Sequence, residues 1–179
     1  MTEHERLSDW LAGSAAFENG DFQKALSLLL PLAEDGLLVA QAAVAQIYME
    51  GLGVSPDPAE AMKWYVKAAR RGDASAEFMV GDAHLSGPDG LDKDIEEGVC
   101  LLERSANKAY QPAQFTLSCL YQDGVGRSQN LIQAYMWMRL ASLEGSPIPG
   151  STEELDGMQL INWFPPKICG CSKFPVPGV

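Results

Sequence analysis

A period of 36 or 37 residues runs through most of the chain, and it constrains the fold more than any other feature. Small residues recur at this spacing at Ala25, Ala61, Gly98 and Ala134, and large apolar residues recur at Leu28, Trp64, Leu101 and Trp137. The steps between neighbours are 36, 37 and 36 residues in both series. Several columns that keep one period are typical of an array of structural repeats. We refer below to residues related by this period as a column.

Each unit of the period has the pattern of two helices joined by a glycine-rich loop. In the clearest unit, apolar residues follow a helical spacing from about residue 40 to 49, and a loop with Gly51 and Gly53 comes next. Asp57, Pro58 and Glu60 then form a capping box with proline in the first turn, which predicts the start of the second helix. Equivalent boxes occur at 94–97 and 130–133, and Gly72 is a fitting C-cap.

These helix pairs predict an all-α fold, a right-handed superhelical solenoid of antiparallel helix pairs. One helix pair cannot bury its apolar face alone, so neighbouring pairs must stack. Small side chains such as Ala61, Ala68 and Ala69 allow the paired helices to approach closely. We expect Trp64 and Tyr65 to fill the space between the layers.

The unit that contains these residues resembles the Sel-1-like repeat, a relative of the tetratricopeptide repeat. Residues 111–145 resemble it well too, whereas 74–109 are a weaker copy with His84, Gly98 and Leu101 in place of the usual aromatic residue, alanine and tryptophan. The N-terminal unit resembles a tetratricopeptide repeat because its loop is shorter. The residues that carry the resemblance in the best unit are Tyr48, Gly51, Gly53, Ala61, Trp64, Tyr65, Ala68 and Gly72.

The resemblance implies an organisation into four helix pairs. They are a tetratricopeptide-like pair at 1–36, a Sel-1-like repeat at 37–72, a degenerate repeat at 73–109 and a further Sel-1-like repeat at 110–145. Beyond them, a capping box at 151–154 and the spacing of Leu155, Met158 and Ile161 predict a capping helix at 146–164. Residues 165–179 contain four prolines and no acidic residue, and we predict a flexible tail.

Charge and composition exclude several classes of partner. The formal net charge is −11 with only 13 lysines and arginines, so the chain lacks the basic face that nucleic-acid binding or docking on anionic membranes requires. No apolar run is long enough to span a membrane. Because the N-terminus lacks the pattern of a secretory signal, we expect a cytoplasmic protein, and a secreted protein from which the signal has been removed is the alternative. We therefore expect reduced thiols at Cys100, Cys119, Cys169 and Cys171.

The sequence contains no recognisable catalytic, metal or cofactor set. The two histidines are His4 and His84, and His84 shares a column with Tyr48 and Tyr121, which predicts core packing. The acidic residues at 89–97 do not have the spacing of a calcium loop, and Cys169 and Cys171 alone cannot form a zinc site. We therefore predict a protein that is not an enzyme and holds no metal or cofactor.

Two alternatives stay open. Secreted members of the Sel-1-like family have been linked to β-lactam handling, which makes a hydrolase one alternative. Cysteine pairs staple each hairpin in those members, whereas Cys100 and Cys119 fall in adjacent units here, so the resemblance is incomplete. The other alternative is that the chain is a fragment of a larger regulatory protein.

The array and its resemblance imply an adaptor that binds a partner protein or peptide on the concave face of the solenoid. In tetratricopeptide-type solenoids the first helices line this face. Phe78 and Phe115 have two open interpretations, as anchors for a peptide or helix or as rings packed between units. Three acidic positions on this face predict a preference for basic partners. The positions implied by the resemblance are Gln46, Met49, Glu50, Phe78, Asp82, Leu85, Phe115, Cys119, Gln122 and Asp123.

Overall fold

A computed structural model describes residues 3–87 and 93–142. Within these residues the chain forms eight α-helices and no strand. The helices are α1 Glu3–Glu18, α2 Phe22–Glu34, α3 Leu38–Glu50, α4 Pro58–Arg70, α5 Ala74–Ser86, α6 Ile95–Asn107, α7 Gln111–Asp123 and α8 Leu131–Ser142.

The helices stack in the order of the chain. Each helix packs against the one before it and the one after it, and short connections join the members of a pair. The buried side chains form two clusters, one with members from α1 to α6 and one with members from α6 to α8, against which half-buried residues of α5 also pack. The predicted all-α solenoid of helix pairs is therefore confirmed, with the core running along the stack rather than at a single centre.

The predicted starts of the second helices are confirmed by their caps. In each case the side chain of the N-cap residue accepts a hydrogen bond from the backbone N–H three residues later, which satisfies one of the free donors at a helix start. The donor–acceptor distances are 2.9 Å for Asp57 with Glu60, 3.1 Å for Asp94 with Glu97 and 3.1 Å for Asn130 with Gln133.

The backbone N–H of each N-cap residue has a partner that the capping-box pattern does not indicate. It donates to a carbonyl near the end of the preceding helix rather than to the glutamate or glutamine side chain. This bond closes the glycine loop against the first helix of the pair. The accepting carbonyls are those of Tyr48 at 2.8 Å from Asp57, His84 at 3.0 Å from Asp94 and Tyr121 at 2.8 Å from Asn130.

The columns identified in the sequence are mostly buried. Ala61, Trp64 and Tyr65 are in the core, as expected from their role between the layers. His84 is buried like Tyr121 in the same column, which confirms the prediction of core packing. Among the large residues that keep the period, Trp137 is 2% exposed and Leu101 is fully buried.

Polar side chains connect neighbouring pairs at one column. Gln41 and Gln114 are buried and donate from Nε2 to the carbonyls of Ala33 and Ala106, at 3.0 and 3.2 Å. In the weaker copy this column holds Glu77, which cannot donate as a carboxylate. Its fully buried side chain instead forms ion pairs with Arg104 and Lys108 of α6. The two cations stabilise the negative charge that burial would otherwise disfavour.

The expectation of reduced cysteines is wrong for Cys100. Cys100 takes part in a disulfide bond, whereas Cys119 is a free cysteine. Cys100 is 1% exposed, although Ser27 and Lys63 in the same column are exposed, so the repeat pattern indicates neither its burial nor its covalent partner. Cys169 and Cys171 lie outside the described residues. So do the predicted capping helix, the predicted tail and part of the acidic segment at 89–97.

Candidate functional site

The residues expected to contact a partner lie on α3, α5 and α7, the first helices of the three later pairs. Within one helix they are three or four positions apart, as in Phe78, Asp82 and Leu85, and this spacing places them on one face. The same positions recur on the neighbouring helices at the repeat period. We call these equivalent faces of α3, α5 and α7 the first-helix face.

Polar residues on the first-helix face are exposed. Glu50, Asp82 and Asp123 all point toward solvent, and so do Gln46 and Gln122. On α3, Gln46 donates from Nε2 to Glu50 Oε1 at 2.9 Å, which keeps the carboxylate near the amide on the surface. The face therefore presents hydrogen-bonding and charged groups that are available to a partner.

Apolar residues on the first-helix face are partly buried at their bases. Met49, Leu85 and Cys119 are half-buried, and the first two pack against the core clusters. Side chains that are anchored in the core and open on one side offer apolar surface without a further loss of side-chain freedom. Val39 is 46% exposed and lies seven residues before Gln46, so both residues are on the same face of α3. The sequence prediction omitted Val39, although this helical spacing indicated it.

The two phenylalanines share a column but have different surroundings. Phe78 is half-buried, its ring centroid lies 5.5 Å from that of Tyr110, and it packs against the second core cluster. Phe115 is 57% exposed. Phe78 therefore contributes mainly to the contact between neighbouring pairs, and Phe115 has the exposure that an anchor for a partner needs.

Basic residues are unevenly distributed over the helices of the three later pairs. Lysine and arginine are absent from the sequences of α3, α5 and α7, whereas α4 alone carries Lys63, Lys67 and Arg70. Burial raises the pKa of Tyr65 to about 12, and the negative charge of Glu50 adds to this rise.

A buried polar cluster that the sequence did not indicate supports the loop before α8. Glu103 accepts hydrogen bonds from the Tyr121 hydroxyl at 3.0 Å and from Arg127 Nε at 3.1 Å. Burial raises the pKa of Tyr121 to about 12, with a further contribution from the charge of Glu103. Because this cluster joins α6, α7 and the following loop, it holds the last described pair in a defined position.

The described residues show no site for a metal, and none of their helices could cross a membrane. No three histidine, cysteine, aspartate or glutamate side chains within 3–87 and 93–142 are grouped closely enough to hold a metal ion. Over the same residues, each helix is too short or too polar for a bilayer.

Stacked helix pairs with glycine loops define the class of helical-repeat solenoids. The Sel1 repeat model matches three consecutive segments, residues 38–73, 74–110 and 111–146, which make up more than half of the chain. The chain therefore belongs to the Sel1 repeat family, as the resemblance of its best unit indicated.

Similar proteins include regulators and other Sel1 repeat proteins. The chain is 31% identical over 124 residues to the chitin synthase regulator SKT5 of Saccharomyces cerevisiae, covering 68% of this chain and 18% of that protein. It is 28% identical over 114 residues to chitin synthase regulatory factor 3 of Schizosaccharomyces pombe, covering 63% and 12%. A crystal structure of a Sel1 repeat protein from Oxalobacter formigenes superposes with a TM-score of 0.69 at 28% identity, covering 76% of this chain and 56% of that one.

The chain thus spans less than a fifth of the length of these two curated relatives.

Proposed function

We propose that the protein binds a basic segment of a partner protein on the first-helix face, the concave side of the solenoid. The observation that carries the proposal is the composition of this face, on which exposed acidic groups alternate with half-buried apolar groups and no cation is present. A segment with lysine or arginine beside an apolar side chain is complementary to it.

Phe115 is the proposed anchor of the contact. Aromatic side chains near the centre of an interface contribute a large share of binding free energy when a partner covers them. Phe115 lies on α7 about two turns before Asp123, with Cys119 one turn further along the helix. An apolar side chain of the partner would pack on this ring while its cations approach Asp82 and Asp123.

Binding rather than catalysis is the proposed role, without a cofactor, in line with the regulator names of the two fungal relatives. A hydrolase that acts on β-lactams is the alternative, and hydrolysis of a β-lactam by the purified protein would favour it. Regulation within a larger protein is compatible with the same binding face, and the natural chain length decides that question.

The first test replaces the acidic groups of the face. We expect the variant Glu50→Lys/Asp82→Lys/Asp123→Lys to lose binding to arrays of lysine- and leucine-containing peptides by at least about tenfold, because three charge attractions become repulsions. Fluorescence anisotropy of the best wild-type peptide measures the change. In parallel, affinity capture with mass spectrometry compares the partners that the wild type and the variant retain.

A matched variant controls for the change in net charge. Glu34→Lys/Asp35→Lys/Glu96→Lys alters the same number of exposed acidic residues away from the first-helix face. This control should bind like the wild type. If both triple variants lose binding equally, or if neither does, the first-helix face is not the site.

A further inference from the structure

Large apolar side chains are exposed on α8, the last described helix. Leu131 is 64% exposed, Ile132 is 60% exposed and Tyr135 is 38% exposed. All three lie in the first two turns of the helix and form one patch, which we call the α8 patch. None of them belongs to the first-helix face.

The equivalent surface of an earlier pair is covered by a glycine loop. At Gly126 a β-carbon would lie 2.7 Å from Val99 Cγ2 and 2.8 Å from Ile95 Cγ2, so the loop before α8 rests directly on the start of α6. The loop before α4 packs on the start of α2 in the same way, where Gln23 donates from Nε2 to the Gly53 carbonyl at 3.2 Å.

Leu131 and Tyr135 of the α8 patch occupy the columns that such a loop covers. Leu131 is equivalent to Ile95, and Tyr135 is equivalent to Val99, which is fully buried. Ile132 is equivalent to Glu96 and Ala59, so a large apolar side chain replaces a charged or small one at an exposed position. The α8 patch therefore corresponds to a surface that lies between two repeats in the earlier pairs. It is more apolar than the equivalent surface of those pairs, because Ile132 replaces a charged or small residue.

The other end of the described stack is complementary to this patch. Leu7 and Leu11 on α1 are 59% and 58% exposed and lie one turn apart on one face. Helix α1 carries four acidic residues and one arginine, whereas α8 carries one arginine, Arg139, and no acidic residue. The two ends thus match in apolar surface and differ in charge.

We propose that α1 of a second copy of this chain packs on the α8 patch, so that copies associate head to tail. In this contact α1 takes the place that a glycine loop occupies on the earlier pairs, and it extends the stack of helices from one copy to the next. It uses a different patch on each copy, which makes it heterologous, and a third copy can add in the same way. The interaction is separate from partner binding on the first-helix face.

The test measures molar mass against concentration by sedimentation equilibrium with the full chain, up to about 1 mM. The wild type should form dimers and larger species. Leu7→Glu/Leu11→Glu and Leu131→Glu/Ile132→Glu each alter one end at exposed positions, and each should stay monomeric alone. An equimolar mixture of these two variants should form a dimer and nothing larger, because one intact pair of ends remains.

A matched control adds the same two charges elsewhere. Ser27→Glu/Ala59→Glu changes exposed positions on α2 and α4, with Ala59 equivalent to Ile132, and it should associate like the wild type. Far-ultraviolet circular dichroism verifies that every variant is folded.

A monomeric wild type over the whole range would overturn the proposal, and so would variants that associate as strongly as the wild type. Protection of the α8 amides from hydrogen exchange in a monomeric sample would assign the patch to another segment of the same chain. Loss of peptide binding by the triple lysine variant is independent of all these results, so the two proposals fail separately.

Discussion

Ala109 shows how one residue can depart from the preference of its column. Gly36 and Gly72 end α2 and α4 with φ of +86°, and Ala109 adopts φ of +61° at the equivalent position after α6. Among the described residues it is the one non-glycine residue with positive φ. Its backbone still donates to the Ala106 carbonyl at 3.0 Å, so the helix end keeps its hydrogen bond at the expense of backbone strain.

We expect Ala109→Gly to raise the free energy of unfolding by about 0.5–1 kcal/mol, because glycine adopts this conformation without the steric conflict of a β-carbon. Urea denaturation followed by circular dichroism measures the change. Gly72→Ala is the matched control at the same column, and it should lower stability by a similar amount. An unchanged or lower stability of Ala109→Gly would show that the residue is not strained.

At the scale of the helix, α5 and α6 approach each other through two glycines. Gly81 and Gly98 face each other, and a β-carbon on Gly98 would lie 2.8 Å from the Gly81 carbonyl oxygen and 3.1 Å from Leu85 Cδ2. The equivalent residues of other pairs are alanine or serine. The weaker copy is therefore a pair adapted to a closer approach of its helices rather than a loosely packed one.

We expect Gly98→Ala to destabilise the protein by about 1–2 kcal/mol. Alanine favours the helix by about 1 kcal/mol, but the added methyl group meets backbone and forces the helices apart, which costs more. Thermal unfolding measures the result, and Gly81→Ala should act in the same direction. An increase in stability would contradict this expectation, because the gain in helix propensity would then exceed the stabilisation that close packing of the two helices provides.

At the scale of the whole molecule, two buried tyrosines couple the stability of the stack to alkaline pH. The pKa values of Tyr65 and Tyr121 rise from the ordinary value near 10 to about 12, mainly because burial disfavours the phenolate. The unfolded chain loses these protons at lower pH than the folded chain. Their contribution to stability is therefore fully present below about pH 10 and is lost as the pH rises through 12.

We expect the free energy of unfolding to fall between about pH 10 and 12, and the phenolate absorbance of the folded protein to appear later than that of the unfolded one. Denaturant titrations across this range measure the fall. The variant Tyr121→Phe should show a smaller slope, because one of the two groups is gone. Normal titration of all tyrosines in the folded protein would contradict the expectation.

The helices, their caps and the buried columns could be predicted from the sequence because they depend on local spacing. The N-caps at Asp57, Asp94 and Asn130 follow from residue type and position alone. The period of 36 or 37 residues also places the apolar side chains on one side of each helix, so it determines the solenoid and the burial of Trp64 and His84.

Residues that share a column can differ in their surroundings, and these differences are visible only in the tertiary structure. Phe78 and Phe115 are equivalent in sequence, but Phe78 packs on Tyr110 and Phe115 is exposed, because exposure depends on the neighbouring pair rather than on the helix itself. The ion pairs of Glu77 likewise depend on residues of the next helix, α6, and the disulfide of Cys100 is not indicated by the repeat pattern. The repeat pattern indicates which residues each helix pair places in the core. The contacts between neighbouring pairs depend on side chains from two pairs that differ in sequence.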